Sequence, residues 1–260
     1  MFNLPNLFTA ANLISGCIAI ILAFAGRIDL APFAIFAGAL FDFCDGFIAR
    51  KMKISGEMGK QLDSLADMVT FGLAPGMIMF VLLIMSCGGD THFIGEGGVA
   101  RWVNSILDGQ FSYAYPLIAL IIPFFSLFRL AKFNLDTRQT ESFIGLATPA
   151  NTLFFMSYPL VMFYSTGDSE IMKSVSEFMF HPLSISVTIV VMSLMLVSEI
   201  PLFSLKFKSF SVKGNEIRYS FLLISLIFIL LFKAWALALI VFLYLVLSII
   251  ENYVLKDKKA

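Results

Sequence analysis

Residues 41–72 read FDFCDGFIARKMKISGEMGKQLDSLADMVTFG and place four aspartates, Asp42, Asp45, Asp63 and Asp67, between uncharged apolar runs at residues 30–41 and 68–89. A helix that crosses the roughly 30 Å hydrocarbon core needs about 20 mostly apolar residues. Charges inside such a span are costly enough to mark function by default. The stretch therefore reads as the end of one membrane helix, a short basic loop and the start of the next, with the acids near the membrane boundary.

The rest of the chain agrees with a bilayer setting. Apolar residues make up 59% of the 260 and charged residues 14%, and the mean hydropathy of +0.89 lies outside the range of soluble domains. Uncharged runs long enough to span lie within residues 1–26, 68–89, 109–128, 142–167 and 178–198, and residues 30–50 form a span interrupted by Asp42 and Asp45. Residues 1–26 lack the positive n-region of a signal peptide, so they read as a retained transmembrane helix. Residues 219–232 and 234–250 are parted only by Lys233. As one rod they would reach about 48 Å, so a hairpin at Lys233 is expected. The expectation is an all-α polytopic transmembrane helix bundle of about eight spans, forming a single membrane domain over 1–260 with its last helix pair at about 218–255.

Orientation follows from the bias of Lys and Arg toward the cytoplasmic side. With a cytoplasmic N-terminus, the inner loops hold Arg50, Lys51, Lys53, Lys60, Arg129, Lys132, Arg138, Lys206, Lys208, Lys213, Arg218, Lys256, Lys258 and Lys259. The outer ones hold only Arg27, Arg101, Lys173 and Lys233. Both termini and the acids are thus expected on the cytoplasmic side of the cytoplasmic membrane. The three cysteines lack metal-type spacing, and the Gly-rich segment 87–110, expected as an outer loop, lacks the GK[ST] ending of a phosphate loop. His92 and His181 fall toward the outer face, and Glu199 beside Pro201 is expected to end the sixth span. A formal charge of zero argues against a nucleic-acid partner.

Asp42 and Asp45 are three residues apart and Asp63 and Asp67 four apart, so each pair shares one helix face. Four carboxylates on facing helices would repel one another unless a cation neutralised them. Hard oxygen donors without His or Cys point to Mg²⁺, Mn²⁺ or Ca²⁺. Two ions about 4 Å apart suit phosphoryl displacement. Gly46, Ala49 and Gly59 leave the helix faces beside the acids open to a flat ligand, and Arg50 is placed to pair with a phosphate. Two other readings compete. The acids could be helix-end residues, Asp63 and Asp67 in a first turn and Asp42 and Asp45 paired with Arg50 or Lys132. Alternatively, intramembrane acids could mark a cation transporter, which would spread them across the membrane depth.

At these residues the chain resembles the CDP-alcohol phosphatidyltransferase family, whose signature is DxxDGxxAR, eight residues, then GxxxDxxxD. Asp42, Asp45, Gly46, Ala49, Arg50, Gly59, Asp63 and Asp67 fill every fixed position. The resemblance implies that the four aspartates hold two divalent ions on the CDP pyrophosphate and that Asp67 is the general base for the alcohol. It further implies that Gly46, Ala49, Gly59 and Arg50 receive the nucleotide with help from Asn6, Thr9 and Asn12 of the first span, and that the protein is a homodimer.

The stretches PNLFTAANLISG, DSLADMVTFGLAP, FRLAKFN and GLATPAN resemble the phosphatidylserine synthase branch, which implies CDP-diacylglycerol and serine as substrates. Serine is a zwitterion whose carboxylate needs a cation. Arg129 and Lys132, one turn apart, are the candidates, with Asn134, Thr148 and Asn151 as polar partners. The same chemistry with glycerol 3-phosphate or inositol phosphate as acceptor would call for a denser basic pocket.

Overall fold

The computed structural model describes residues 3–53, 56–88, 98–136, 142–165, 169–203, 211 and 215–255. Helix α1 (Leu4–Phe24) opens with Pro5 in its first turn and the Asn3 side chain accepting from the Asn6 N–H, which satisfies one orphan donor at the helix start. Helix α2 (Ala31–Met52) ends at Lys53 in the left-handed region. A continuous helical rod follows: α3 (Glu57–Asp67), a π-helical turn at Met68–Leu73 and α4 (Ala74–Gly88). Ile78, Met79, Val81, Leu82 and Leu83 have no exposed surface, so α4 is the hydrophobic centre of the bundle, apolar on every side.

Around α4 stand α5 (Gly98–Leu107), a 3₁₀ segment (Phe111–Leu120) running into α6 (Ile121–Leu135), α7 (Thr148–Tyr164) and α9 (Pro182–Val197), and α8 (Glu170–Phe180) packs against α9. Helices α10 (Glu216–Phe232) and α11 (Ala236–Ile249) close the chain. Two three-residue strands, β1 (Ser142–Ile144) and β2 (Pro201–Phe203), pair antiparallel with Phe143 opposite Leu202, a small departure from the expected all-α architecture.

Five helical segments are long and apolar enough to cross a bilayer among the described residues: Leu4–Phe24, Ala31–Met52, Glu57–Cys87, Ala114–Leu135 and Glu216–Asn252. A sixth is added if α8 and α9, bent by 73°, count as one broken span. The protein is an integral membrane protein. The last segment is not one rod, because Arg218 and Glu251 approach to 3.8 Å, whereas straight helix would hold them about 50 Å apart. The chain reverses at Lys233, whose φ is +48°. Helices α7 and α9, where two further spans were expected, have 17 and 16 residues.

Small residues set the closest helix approaches. A Cβ at Gly16 would lie 2.6 Å from Thr70 Oγ1, and one at Gly38 2.7 Å from Thr70 Cγ2, so α1, α2 and the π turn meet at Thr70. Its hydroxyl donates to the Asn12 carbonyl at 2.8 Å. The Thr152 hydroxyl donates to the Phe71 carbonyl at 2.7 Å, giving a partner to a carbonyl in the irregular turn.

The structure corrects three expectations. Asp63 and Asp67 are not in a first turn, since their helix starts at Glu57. Part of the expected outer loop is helix α5, whose Trp102 ring meets Phe80 at 4.9 Å. The sixth span ends at Val197 rather than at Glu199, and Pro201 opens β2. His181 caps α9. His92, Arg138, Lys206, Lys208, Lys213, Lys256, Lys258 and Lys259 lie outside the described residues.

Candidate active site

Helix α1 sits between the two acid-bearing helices and reaches both. The Thr9 hydroxyl donates to Asp45 Oδ2 at 2.7 Å and the Asn12 amide donates to Asp67 Oδ1 at 3.0 Å. Spacing of three residues puts Asn6, Thr9 and Asn12 on one stripe of α1. The pairs Asn6 with Gly59, Asn12 with Asp67 and Gly16 with Thr70 show α1 running parallel to α3. Thr9 with Asp45 and Ser15 with Gly38 show it antiparallel to α2. The polar stripe of α1 thus lies along both acid pairs.

Carboxylate oxygens of Asp42, Asp63 and Asp67 can all lie within 4.8 Å of one another. Among the described residues no ion pair involves any of the four aspartates, so Arg50 and Lys132 do not neutralise Asp42 and Asp45 as one of the competing readings supposed. Lys132 instead pairs with Glu199. Three half-buried carboxylates gathered with no basic side chain paired to them among the described residues, all hard oxygen donors, fit a divalent ion. Asp45 lies outside that group, held by Thr9.

Beside the acids a cavity of about 720 Å³ is lined by Asn3, Asn6, Thr9, Asp45, Gly46, Ala49, Arg50, Lys53, Gly59, Lys60 and Asp63, among others. Every residue expected to receive the nucleotide is there except Asn12, which faces Asp67. The Arg50 guanidinium folds over Gly46, its Nη1 3.6 Å from where a Cβ would stand. Sequence reasoning missed Lys53 and Lys60 as lining residues. Their signal was the density of basic residues between the two halves of the motif.

The residues expected to take serine divide into two groups. Asn134 is engaged elsewhere: its side-chain amide donates to Ser64 Oγ at 2.7 Å and its main-chain carbonyl accepts from Lys60 Nζ at 3.1 Å, tying α6 to α3 on either side of Asp63. Arg129, Thr148 and Asn151 are buried, at 3%, 3% and 0% exposure. Arg129 Nε donates to the Leu146 carbonyl at 3.1 Å, and its guanidinium lies 5.2 Å from the Phe133 ring centre. Both polar atoms of the Asn151 side chain, and Ser126 Oγ one turn before Arg129, have no hydrogen-bond partner among the described residues.

The register of α6 against the central rod locates this second group. Asn134 meets Ser64, Ser126 meets Gly72 and Pro123 meets Gly76, so the two run antiparallel. Arg129 then lies at the level of residues 68–70, within about one helical turn of Asp67. The acids, the cavity and Arg129 all stand toward one end of the bundle. Arg27, Asp29, Ser165 and Trp235 mark the other, with Tyr164 Oη near the Asp29 carbonyl and Trp235 Nε1 on Ser165 Oγ.

CDP-diacylglycerol–serine O-phosphatidyltransferase of Bacillus subtilis is 33% identical over 149 residues, 57% of this chain and 71% of that protein. Archaetidylserine synthase of Methanothermobacter thermautotrophicus is 34% identical over 165 residues, 62% of this chain and 60% of that protein. The Saccharomyces cerevisiae CDP-diacylglycerol–serine O-phosphatidyltransferase is 49% identical over 55 residues, 21% of this chain and 20% of that protein. The chain thus spans less than two thirds of the archaeal and yeast relatives. The profile of the CDP-alcohol phosphatidyltransferases matches residues 2–204, which include every acid of the cluster and all the cavity residues named above. This chain belongs to the CDP-alcohol phosphatidyltransferase family.

Proposed function

We propose that the protein transfers a phosphatidyl group from CDP-diacylglycerol to serine, giving phosphatidylserine and CMP. The observation that carries the reading is the meeting of the Asp42, Asp63 and Asp67 carboxylates beside a cavity lined by Gly46, Ala49, Arg50 and Gly59. Divalent ions, two of the Mg²⁺ or Mn²⁺ kind held by Asp42, Asp45, Asp63 and Asp67, would offset charge on the pyrophosphate and on the leaving phosphate.

The remaining roles belong to side chains of this chain. Gly46, Ala49 and Gly59 leave room for the nucleotide, and Arg50, Lys53 and Lys60 balance its phosphates. Thr9 and Asn12 fix the orientation of Asp45 and Asp67. Asp67 accepts the proton of the serine hydroxyl as that oxygen attacks the β-phosphorus in line with departing CMP. Arg129 pairs with the serine carboxylate, and Thr148 and Asn151 complete the acceptor pocket. Lys132 and Asn134, given to serine on sequence grounds, are better placed to hold α6, through Glu199 and through Ser64. The lipid chains stay in the bilayer. The protein works as an eight-span homodimer with the acids on the cytoplasmic side of the cytoplasmic membrane.

A second reading keeps the chemistry and changes the acceptor. Arg50, Lys53 and Lys60 together line the cavity, a cation set that would also suit a phosphate-bearing acceptor such as glycerol 3-phosphate. Competition among labelled serine, glycerol 3-phosphate and inositol phosphate in detergent separates the two. The proposal expects label from serine alone in the lipid product, and label from a phosphate-bearing acceptor would replace it. A cation transporter has less support, because the four acids gather at one end of the bundle beside Gly46, Ala49 and Arg50 instead of following a path through it.

A further inference from the structure

The family match ends at residue 204, yet the α10–α11 hairpin beyond it is tied to the acceptor side of the site through strand β2. One edge of β2 pairs with β1. The other edge is satisfied by side chains of the last helix and its π-helical continuation, spaced four residues apart. Tyr244 Oη donates to the Phe203 carbonyl at 2.9 Å, and Ser248 Oγ accepts from the Phe203 N–H at 3.4 Å. Asn252 Nδ2 donates to the Pro201 carbonyl at 2.8 Å. A stripe at i, i+4 and i+8 on one helix face thus stands in for a third strand, taking up groups that a bare edge would leave unpaired.

The contact passes on through β1. Immediately after β1 the chain turns at Gly145, whose φ of +76° and whose crowding against the Leu196 and Ser198 carbonyls, 2.7 and 2.8 Å from a Cβ position, exclude any larger residue. The Gly145 N–H donates to the Ile200 carbonyl and the Leu146 N–H to the Met195 carbonyl, each at 2.9 Å. The Leu146 carbonyl is the group that accepts from Arg129 Nε. An unbroken series of hydrogen bonds and short chain segments therefore runs from the Tyr244, Ser248 and Asn252 stripe through β2 and β1 to the Arg129 guanidinium.

We propose that the α10–α11 hairpin is a positioning element for acceptor recognition: Tyr244 and Asn252 hold β2, and thereby the Leu146 carbonyl that orients Arg129. The inference deepens the acceptor assignment and rests on Arg129 lying in the acceptor pocket. It concerns the alcohol and leaves the nucleotide side alone, because the cavity beside the acids is lined by α1, α2, α3 and the loop between α2 and α3.

The test is steady-state CMP release by the full chain in detergent, with serine and CDP-diacylglycerol varied in turn, for wild type, Tyr244→Phe, Asn252→Ala and Val241→Ala. Val241 is buried on the same helix at 5% exposure and touches none of the stripe's hydrogen bonds, so its truncation reports loss of packing alone. Tyr244→Phe and Asn252→Ala are expected to raise the KM for serine about fivefold each, the effect of losing one modest hydrogen bond, with the KM for CDP-diacylglycerol unchanged. Val241→Ala is expected to lower the thermal midpoint with both KM values unchanged. Equal behaviour of all three variants, lowered stability without a shift in the serine KM, would overturn the inference. Wild type that releases CMP only with another acceptor would overturn the serine assignment, and the same KM comparison, run with that acceptor, would then decide the role of the hairpin.

Discussion

The Asn12 amide donates to Asp67 Oδ1 across 3.0 Å, which couples the first membrane helix to the last acid of the motif. The donor's own carbonyl is held by Thr70, and its Oδ1 would lie 3.1 Å from a Cβ at Gly38. Asn12 is fully buried, so its orientation is set by packing on every side. Thr9 does the same for Asp45 one turn earlier. Removing these donors is predicted to weaken divalent-ion binding more than folding. Asn12→Ala and Thr9→Val should each raise the Mg²⁺ or Mn²⁺ concentration needed for half-maximal CMP release by about 10- to 100-fold, the usual effect of losing a residue that orients a metal ligand. Metal titrations of the purified variants measure this, and an unchanged half-maximal concentration would show that α1 does not orient the acids.

Crowding at Thr70 gives a second prediction. A Cβ at Gly16 meets Thr70 Oγ1 at 2.6 Å and the Thr70 backbone, with Cα at 2.8 Å, whereas one at Gly38 meets the Thr70 methyl at 2.7 Å first and Asn12 Oδ1 and Ser15 Cβ at 3.1 and 3.3 Å. Each change should cost about 1–3 kcal/mol of stability through overpacking. Adding Thr70→Ser removes the methyl and retains the hydroxyl on the Asn12 carbonyl, so it should restore much of the loss in Gly38→Ala and little of it in Gly16→Ala. Thermal midpoints of the four variants in detergent test the pairing, and equal rescue of both glycine variants would contradict it.

Asn151 supplies a third. Its amide is fully buried and neither polar atom has a partner among the described residues. A polar group buried in this way costs a protein about 1–3 kcal/mol, so Asn151→Leu is expected to leave the thermal midpoint unchanged or raised. If the amide serves the acceptor, the same variant should raise the serine KM at least about tenfold, the worth of roughly 1.4 kcal/mol. A lower midpoint with an unaltered serine KM would make Asn151 a structural residue.

The four aspartates were legible because a charge in an apolar run has few explanations, and because spacings of three and four put each pair on one helix face. The hairpin at Lys233 was legible from length alone, since no single helix of that length fits a bilayer. Other features left no local trace. The π turn at Met68–Leu73 has a carbonyl, that of Phe71, whose side-chain partner is the Thr152 hydroxyl 81 residues away. Strands β1 and β2 are three residues each, too short for an alternating pattern, and pair only because α6, α7 and α9 bring them together. The partners of Lys132 and Asn134 were hidden for the same reason. Glu199 and Ser64 lie 67 and 70 residues away in sequence, and of Arg129 and Lys132, one turn apart on the helix, the first is buried and the second half-buried. Helix α8 carries Ile171, Val175 and Phe178 exposed on one face. Its amphipathic period was present in the sequence, but at 11 residues it is too short to cross a bilayer.

The most direct test of the central claim is CMP release from CDP-diacylglycerol in detergent, measured with and without serine and with and without Mg²⁺ or Mn²⁺, for wild type and Asp67→Asn. Release is predicted to need both serine and a divalent ion, to be abolished by chelation and restored by adding the ion back, and to fall by at least about 100-fold in Asp67→Asn, as expected when a general base is removed. Release that persists in the chelated enzyme, or that survives Asp67→Asn at the wild-type rate, would contradict the assignment of these carboxylates.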